Sequence, residues 1–323
     1  QSGESDTERI LTDSILAVYQ DSMAGSPQRA IDAFSGMRSR LQDSLCINML
    51  LSHESKCYYY LNRMEDAMRI NARVIDFCRN NPSSDDHLYL LAETYNNQGV
   101  YWQEQSERDS AISVLKSAVA ILQSTKNRSV LPSVYMNLAD CYLHNSDFSR
   151  CGFYYRKALL VADSLGTGVR DHFAIYSGLA KLYLDLENYP EADAYFTLAE
   201  QADSLCTPYE RYFFCNTRGN YYYNTKEYEK ALDWFKKADS ITDNFPQPLY
   251  KAIVRGNMGE IFILDKQPDS ARYYLDDARR LFGEAYEQPS LRYYMDGLYV
   301  SLALLENDLP KAEQLSPKAV RRK

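Results

Sequence analysis

Glycine and proline are scarce, 13 and 11 in 323 residues, which excludes collagen-like and Pro/Gly-rich disordered chains. Nowhere do about 18 apolar residues run together, so no membrane span is expected within the chain. Positive charge is in deficit: 36 Lys and Arg against 44 Asp and Glu leave a net charge of −8. A chain without a basic stripe has little to neutralise phosphates, and nucleic acid is not an expected partner. The four histidines, His53, His87, His144 and His172, are far apart and form no H-E-x-x-H, so no metal site is expected and they read as packed or solvated. Phosphate-cradling G-x-x-x-x-G-K-[ST] and G-x-G-x-x-G motifs are missing, as is the G-x-S-x-G elbow, which in any case needs a strand. No catalytic residue and no cofactor is expected. The seven cysteines are odd in number and lack C-x-x-C spacing; lying among apolar residues, they read as buried free thiols.

What the chain does have is rhythm. A small residue followed four positions later by a larger one recurs as Ala30/Phe34, Ala67/Asn71, Ala111/Leu115, Cys151/Tyr155, Ala192/Phe196, Ala231/Phe235, Ala271/Leu275 and Ala312/Ser316. Successive anchors lie 37, 44, 40, 41, 39, 40 and 41 residues apart. Seven residues beyond five of them stands another small residue: Ala118, Ala158, Ala199, Ala238 and Ala278. Spacing of i, i+4, i+7 marks one helix face. Twelve residues ahead of the central anchors come Gln98-Gly99-x-x-Trp102, Leu138-Ala139-x-x-Tyr142, Leu179-Ala180-x-x-Tyr183, Arg218-Gly219-x-x-Tyr222 and Met258-Gly259-x-x-Phe262. Small residues let two antiparallel helices approach, and the aromatic fills the space beside the contact. Asn145-Ser146-Asp147, Glu187-Asn188, Thr225-Lys226 and Asp265 to Pro268 read as the turns within hairpins. Asn80 to His87 reads as a long surface loop.

This L-G-x-x-Y … A-x-x-x-F spacing resembles the tetratricopeptide repeat, over roughly residues 11 to 323. The resemblance implies an all-α right-handed superhelix of antiparallel hairpins, with first helices lining a concave face. About eight units of about 40 residues exceed the usual unit of about 34, so longer helices are expected. The proline that normally closes the second helix is replaced by Ala-Asp-Ser at 162–164, 202–204 and 238–240. Residues 1–8, polar and acidic, are expected as a mobile tail ahead of one solenoid domain over 9–323. The last unit stops as its second helix would be completing, so the natural chain is expected to continue, with a membrane tether a possibility outside it.

In the family, residues two before and one after the small first-helix residue face the groove. That implies a peptide-binding set of Asn97, Asn137, Asp140, Lys181, Asn220, Asn257 and Glu260, with Asn216 and Tyr223 nearby. Asn amides offer a donor and an acceptor to a peptide backbone, or simply solvate the groove. The 28 tyrosines read as inter-helix packing, with Tyr59 and Tyr223 set apart. Asn216 and Asn220 share the spacing of the family's chaperone-tail clamp, but its Lys is missing. Lys56 and Lys181 against Glu93, Glu104, Asp140, Asp185 and Glu260 leave the groove mildly acidic, which favours a basic or neutral partner. The expected function is a non-enzymatic scaffold binding a protein or peptide segment. Long units, Ala-Asp-Ser and Tyr-rich helices resemble the tetratricopeptide regions of Bacteroidetes envelope signalling proteins, which implies a periplasmic sensor or interaction region. The alternative is a cytoplasmic peptide-sensing regulator.

Overall fold

The computed structural model describes residues 2–81, 84–166, 168–202 and 206–316. They are helical throughout, with no strand among them. The contacts group the chain into two compact units, Gln1–Pro208 and Tyr209–Lys323.

The first unit opens with α1 (Ser2–Tyr19), α2 (Ser22–Gly25) and α3 (Pro27–Arg38). Four hairpins follow: α4 (Ser44–Tyr60) with α5 (Met64–Asn80), α6 (Asp85–Glu104) with α7 (Arg108–Ser124), α8 (Leu131–His144) with α9 (Phe148–Leu165), and α10 (Gly168–Asp185) with α11 (Tyr189–Gln201). The second unit holds α12 (Pro208–Asn224), whose first residue marks the boundary, and α13 (Tyr228–Ile241), then α14 (Leu249–Leu264) with α15 (Pro268–Phe282), and α16 (Pro289–Leu305) with α17 (Leu309–Leu315). From α4 to α16 the helices run 13–20 residues, the lengthening that the 40-residue period predicts.

Seven anchors of the repeat, Ala67 to Ala312, lie inside the second helices of hairpins, and Ala30 lies in α3. Ala67, Ala111, Cys151, Ala192, Ala231 and Ala271 are fully buried, as are Leu115, Phe196 and Leu275 four residues on. The first-helix glycines explain the close approach. A Cβ on Gly99 would stand 2.6 Å from Leu115, on Gly219 2.5 Å from Phe235, and on Gly259 2.6 Å from Leu275. The small residue therefore makes room for the large second-helix residue, where the sequence had suggested small against small.

Tyrosine stacking repeats with the same period. The aromatic three residues past the small residue stacks on the ring three residues past the anchor: Tyr142 on Tyr154, Tyr183 on Tyr195, and Phe262 on Tyr274, with centroids 5.4–5.5 Å apart. Such ring pairs add about 0.5–1.5 kcal/mol beyond their burial.

Seven hairpin turns are built alike. Asn62, Ser106, Ser146, Glu187, Lys226, Lys266 and Asn307, each five residues before an anchor, have φ of +55 to +65°. The next amide bonds back to the first helix, as in Glu227 N to Tyr222 O at 2.8 Å and Gln267 N to Phe262 O at 2.9 Å. This is a Schellman-type helix end made without glycine. Where the residue after it is Asp147, Asn188 or Asp308, its side chain caps the second helix.

Three local expectations change. Residues 2–8, read as a tail, are the first turns of α1, and Glu8 accepts from the Gln42 and Asp43 amides at 2.7–3.1 Å. Asn80–His87, read as a long loop, is short: α5 reaches Asn80, α6 starts at Asp85, and residues 82–83 lie outside those described. Ala-Asp-Ser does not end a helix at 162–164 or 238–240; it forms the last turns of α9 and α13, while residues 203–204 lie outside the described residues. Its aspartates reach the following first helix. Asp163 bonds His172 Nε2 at 2.6 Å, and Asp239 holds Lys251 and Arg255 at 3.1–3.2 Å. No described helix is long and apolar enough to cross a membrane.

Candidate functional site

In the first unit, α4, α6, α8 and α10 touch one another in succession, placing the four first helices side by side as one face. Positions three before, one after and four after the small residue share one side of a helix, because four residues turn it by about 400° at 100° each. On α6 that side carries Asn96, Val100 and Gln103. Asn97 stands one step round. It is 3% exposed and donates from Nδ2 to Ser52 Oγ at 3.3 Å, within the α4–α6 contact. Asn137 on α8 likewise reaches back, donating to Asn96 Oδ1 at 2.7 Å, while Asn96 Nδ2 donates to Ser133 Oγ at 3.3 Å. Asparagines in this unit thus tie adjacent first helices to each other.

Charges on this face are largely spoken for. Glu93 on α6 faces His53 Nε2 at 3.8 Å and Lys56 Nζ at 3.7 Å on α4. Burial pushes the Glu93 carboxyl up, but Lys56 and His53 outweigh it and hold it below the usual range. Burial also lowers the His53 imidazole, against the pull of Glu93. Asp140 accepts from the Tyr155 hydroxyl, yet burial lifts its pKa to about 6. Lys181 pairs with Asp185 one turn along α10. A hollow of about 500 Å³ lined by Arg79, Tyr95, Trp102 and Asp109 lies between α5, α6 and α7, away from these residues.

The second unit gathers Asn216, Asn220, Tyr223, Asn257 and Glu260. Asn257 on α14 donates to Asn216 Oδ1 on α12 at 3.1 Å, the same bond that Asn137 makes to Asn96. Asn220, one turn beyond Asn216, is half-buried and has no hydrogen-bond partner among the described residues. Tyr223 donates to Glu260 Oε1 at 2.8 Å, and Tyr294 on α16 donates to Oε2 at 3.0 Å. The carboxylate is therefore held from both sides by hydroxyls on the neighbouring first helices. Being hydrogen-bonded to Glu260 and partly buried, both phenols are raised above their ordinary value, burial being the larger cause. Sequence reasoning missed Tyr294. It lies 34 residues after Glu260, short of the repeat period of about 40, so the spacing that marked the other residues did not point to it.

No group of three His, Cys, Asp or Glu able to hold a metal occurs among the described residues. None of the seven cysteines is in a disulfide, and all but Cys206 are buried.

Residues 132–164 and 214–245 match the family described as tetratricopeptide repeat. The chain carries tetratricopeptide repeats. One matched segment takes in α8 and most of α9, and the other α13 with part of α12, so both units of the structure contain a matched hairpin. No curated protein matches the chain. Among solved structures, a Rap protein complexed with Competence and Sporulation Factor is similar at 15% identity and TM-score 0.67, over 94% of this chain and 85% of that one. NprR in complex with its cognate peptide NprX is similar at 14% identity and TM-score 0.59, over 94% of this chain and 86% of that one. BtubC from P. vanneervenii gives 18% identity and TM-score 0.55, over 69% of this chain and 92% of that one. At these identities the likeness is one of fold.

Proposed function

We propose that this tetratricopeptide chain is a non-enzymatic scaffold that holds an extended peptide segment against its first helices. One observation carries the reading. Side chains on the first-helix faces are cross-braced between repeats, Asn96 with Asn137, Asn216 with Asn257, and Tyr223 with Glu260 and Tyr294, while the Asn220 amide within the same group is left open. A braced wall loses little freedom when a ligand docks, and an open amide satisfies both a peptide N–H and a C=O. The similar folds of Rap and NprR were solved with Competence and Sporulation Factor and with a cognate peptide, which supports this use of the architecture.

The test is titration of a peptide pool against wild type and Asn220→Ala. Binding that weakens several-fold, at unchanged thermal stability, supports the reading. Wild type that retains no peptide overturns it.

The finer proposal places the scaffold in the cell envelope as the sensor region of a signalling protein. Its support is the resemblance in unit length, Ala-Asp-Ser and Tyr-rich helices. Fractionating cells that express the natural gene tests it: recovery with the envelope is expected, and a wholly cytosolic protein favours the cytoplasmic regulator.

A further inference from the structure

We infer that the first-helix face of the second unit contains a subsite for an arginine side chain of the bound peptide, with Glu260 as its anchor. This rests on the peptide-binding reading and gives it a chemistry.

Glu260 is a carboxylate without a countercharge. Its hydrogen bonds come from two neutral hydroxyls, one on each oxygen, and no ion pair from a described residue reaches it. The cations of the same helices are engaged elsewhere. Lys251 and Arg255 on α14 turn to Asp239, Asp243 and Asp277, and Arg292 on α16 lies 3.6 Å from Glu287. Arg218 on α12 stacks over Tyr221 and Tyr222.

Each carboxylate oxygen spends one lone pair on a tyrosine and keeps the other. Two free lone pairs on a fixed carboxylate match the paired N–H groups of a guanidinium, which binds both oxygens at once. An ammonium offers a point charge and gains less from the fixed geometry. The two phenols that hold Glu260 flank that position, and Tyr294 is 40% exposed, leaving ring surface on which a planar guanidinium stacks.

Two glycines lie near the carboxylate. Gly256 lies one turn before Glu260 on α14, and Gly297 lies three residues after Tyr294 on α16. A Cβ at either would meet nothing within 4 Å, so neither glycine is there to admit a neighbouring helix. In contrast, Gly259 on the same helix is filled by Leu275. Gly297 is exposed, so on the α16 side a peptide main chain can come close to the helix while its side chain reaches Glu260; Gly256 is itself buried.

The test uses the whole chain and four seven-residue positional-scanning pools carrying Arg, Lys, citrulline or Glu at a fixed central position. Retention of the Arg pool is expected to exceed that of the citrulline and Glu pools by about tenfold or more and to exceed that of the Lys pool. Glu260→Gln should remove the Arg preference. Tyr294→Phe, which keeps the ring and frees one carboxylate oxygen, should reduce it while circular dichroism stays unchanged. Equal retention of Arg and citrulline, or an Arg preference that survives Glu260→Gln in a folded variant, overturns the subsite and leaves peptide binding standing. Retention of no pool overturns both.

Discussion

Helix α14 carries two glycines three residues apart whose replacement by alanine should act in opposite directions. In a helix interior, Gly→Ala stabilises by about 0.8–1 kcal/mol because alanine has fewer unfolded conformations to lose. At Gly256 nothing stands within 4 Å of the new methyl, so that gain should appear nearly whole. At Gly259 the methyl would lie 2.6 Å from Leu275 Cδ2, 2.8 Å from its Cγ and 3.4 Å from its backbone nitrogen. Leu275 is fully buried and its backbone is part of α15, so it cannot swing aside. Overpacking of this kind costs about 1–3 kcal/mol. The propensity term is common to both variants, so their difference isolates the overpacking. Gly256→Ala should therefore exceed Gly259→Ala by about 1–3 kcal/mol, with wild type between them or level with the lower. Equilibrium urea unfolding followed at 222 nm reads this directly, with equal slopes required for the comparison. Equal midpoints for the two variants, or Gly259→Ala the more stable, would refute the account of why these repeats use glycine.

Other expectations follow from the same structure. Lys226→Gly and Lys266→Gly replace a side chain held at φ of 65° and 57°, which costs about 1 kcal/mol, and part of the gain is lost to glycine's unfolded freedom. Each should stabilise by about 0.5 kcal/mol in urea unfolding. The Asp140 carboxyl, held at about 6 against 3.8, keeps a proton in the folded state that the unfolded chain has already lost between those values. Stability should thus fall by about 2–3 kcal/mol as pH rises from 4 to 6 from this group alone. Asp140→Asn should flatten that slope, gaining at pH 8 and not at pH 4. Burial pushes the Cys57, Cys78, Cys141 and Cys151 thiols up to about 12, so these should resist iodoacetamide at pH 8 until the chain is unfolded. Asn137→Ala should lower the thermal midpoint, since it breaks the brace to Asn96, whereas Asn220→Ala should not.

The all-helical repeat was legible in the sequence because it is written in local terms. Helix faces come from i, i+4, i+7 spacing, hairpins from a period near 40, and turns from breaks in the pattern, and each depends on residues close along the chain. Five of the seven left-handed turn residues escaped notice for what they are, because Ser, Glu and Lys announce no positive φ; only their constant place, five before the anchor, does so. Side-chain partners on the first-helix face were a different matter. Asn97 and Asn96 are adjacent in sequence, yet one is sealed into the α4–α6 contact and the other faces α8, since a single step turns the helix by about 100°. That Asn137 braces Asn96, that Asp239 belongs to Lys251 and Arg255, and that Glu260 is gripped by Tyr223 and Tyr294 was decided only when separate helices, with partners 12 to 41 residues apart, were laid side by side. Periodicity says which face a residue takes; only packing says who stands opposite.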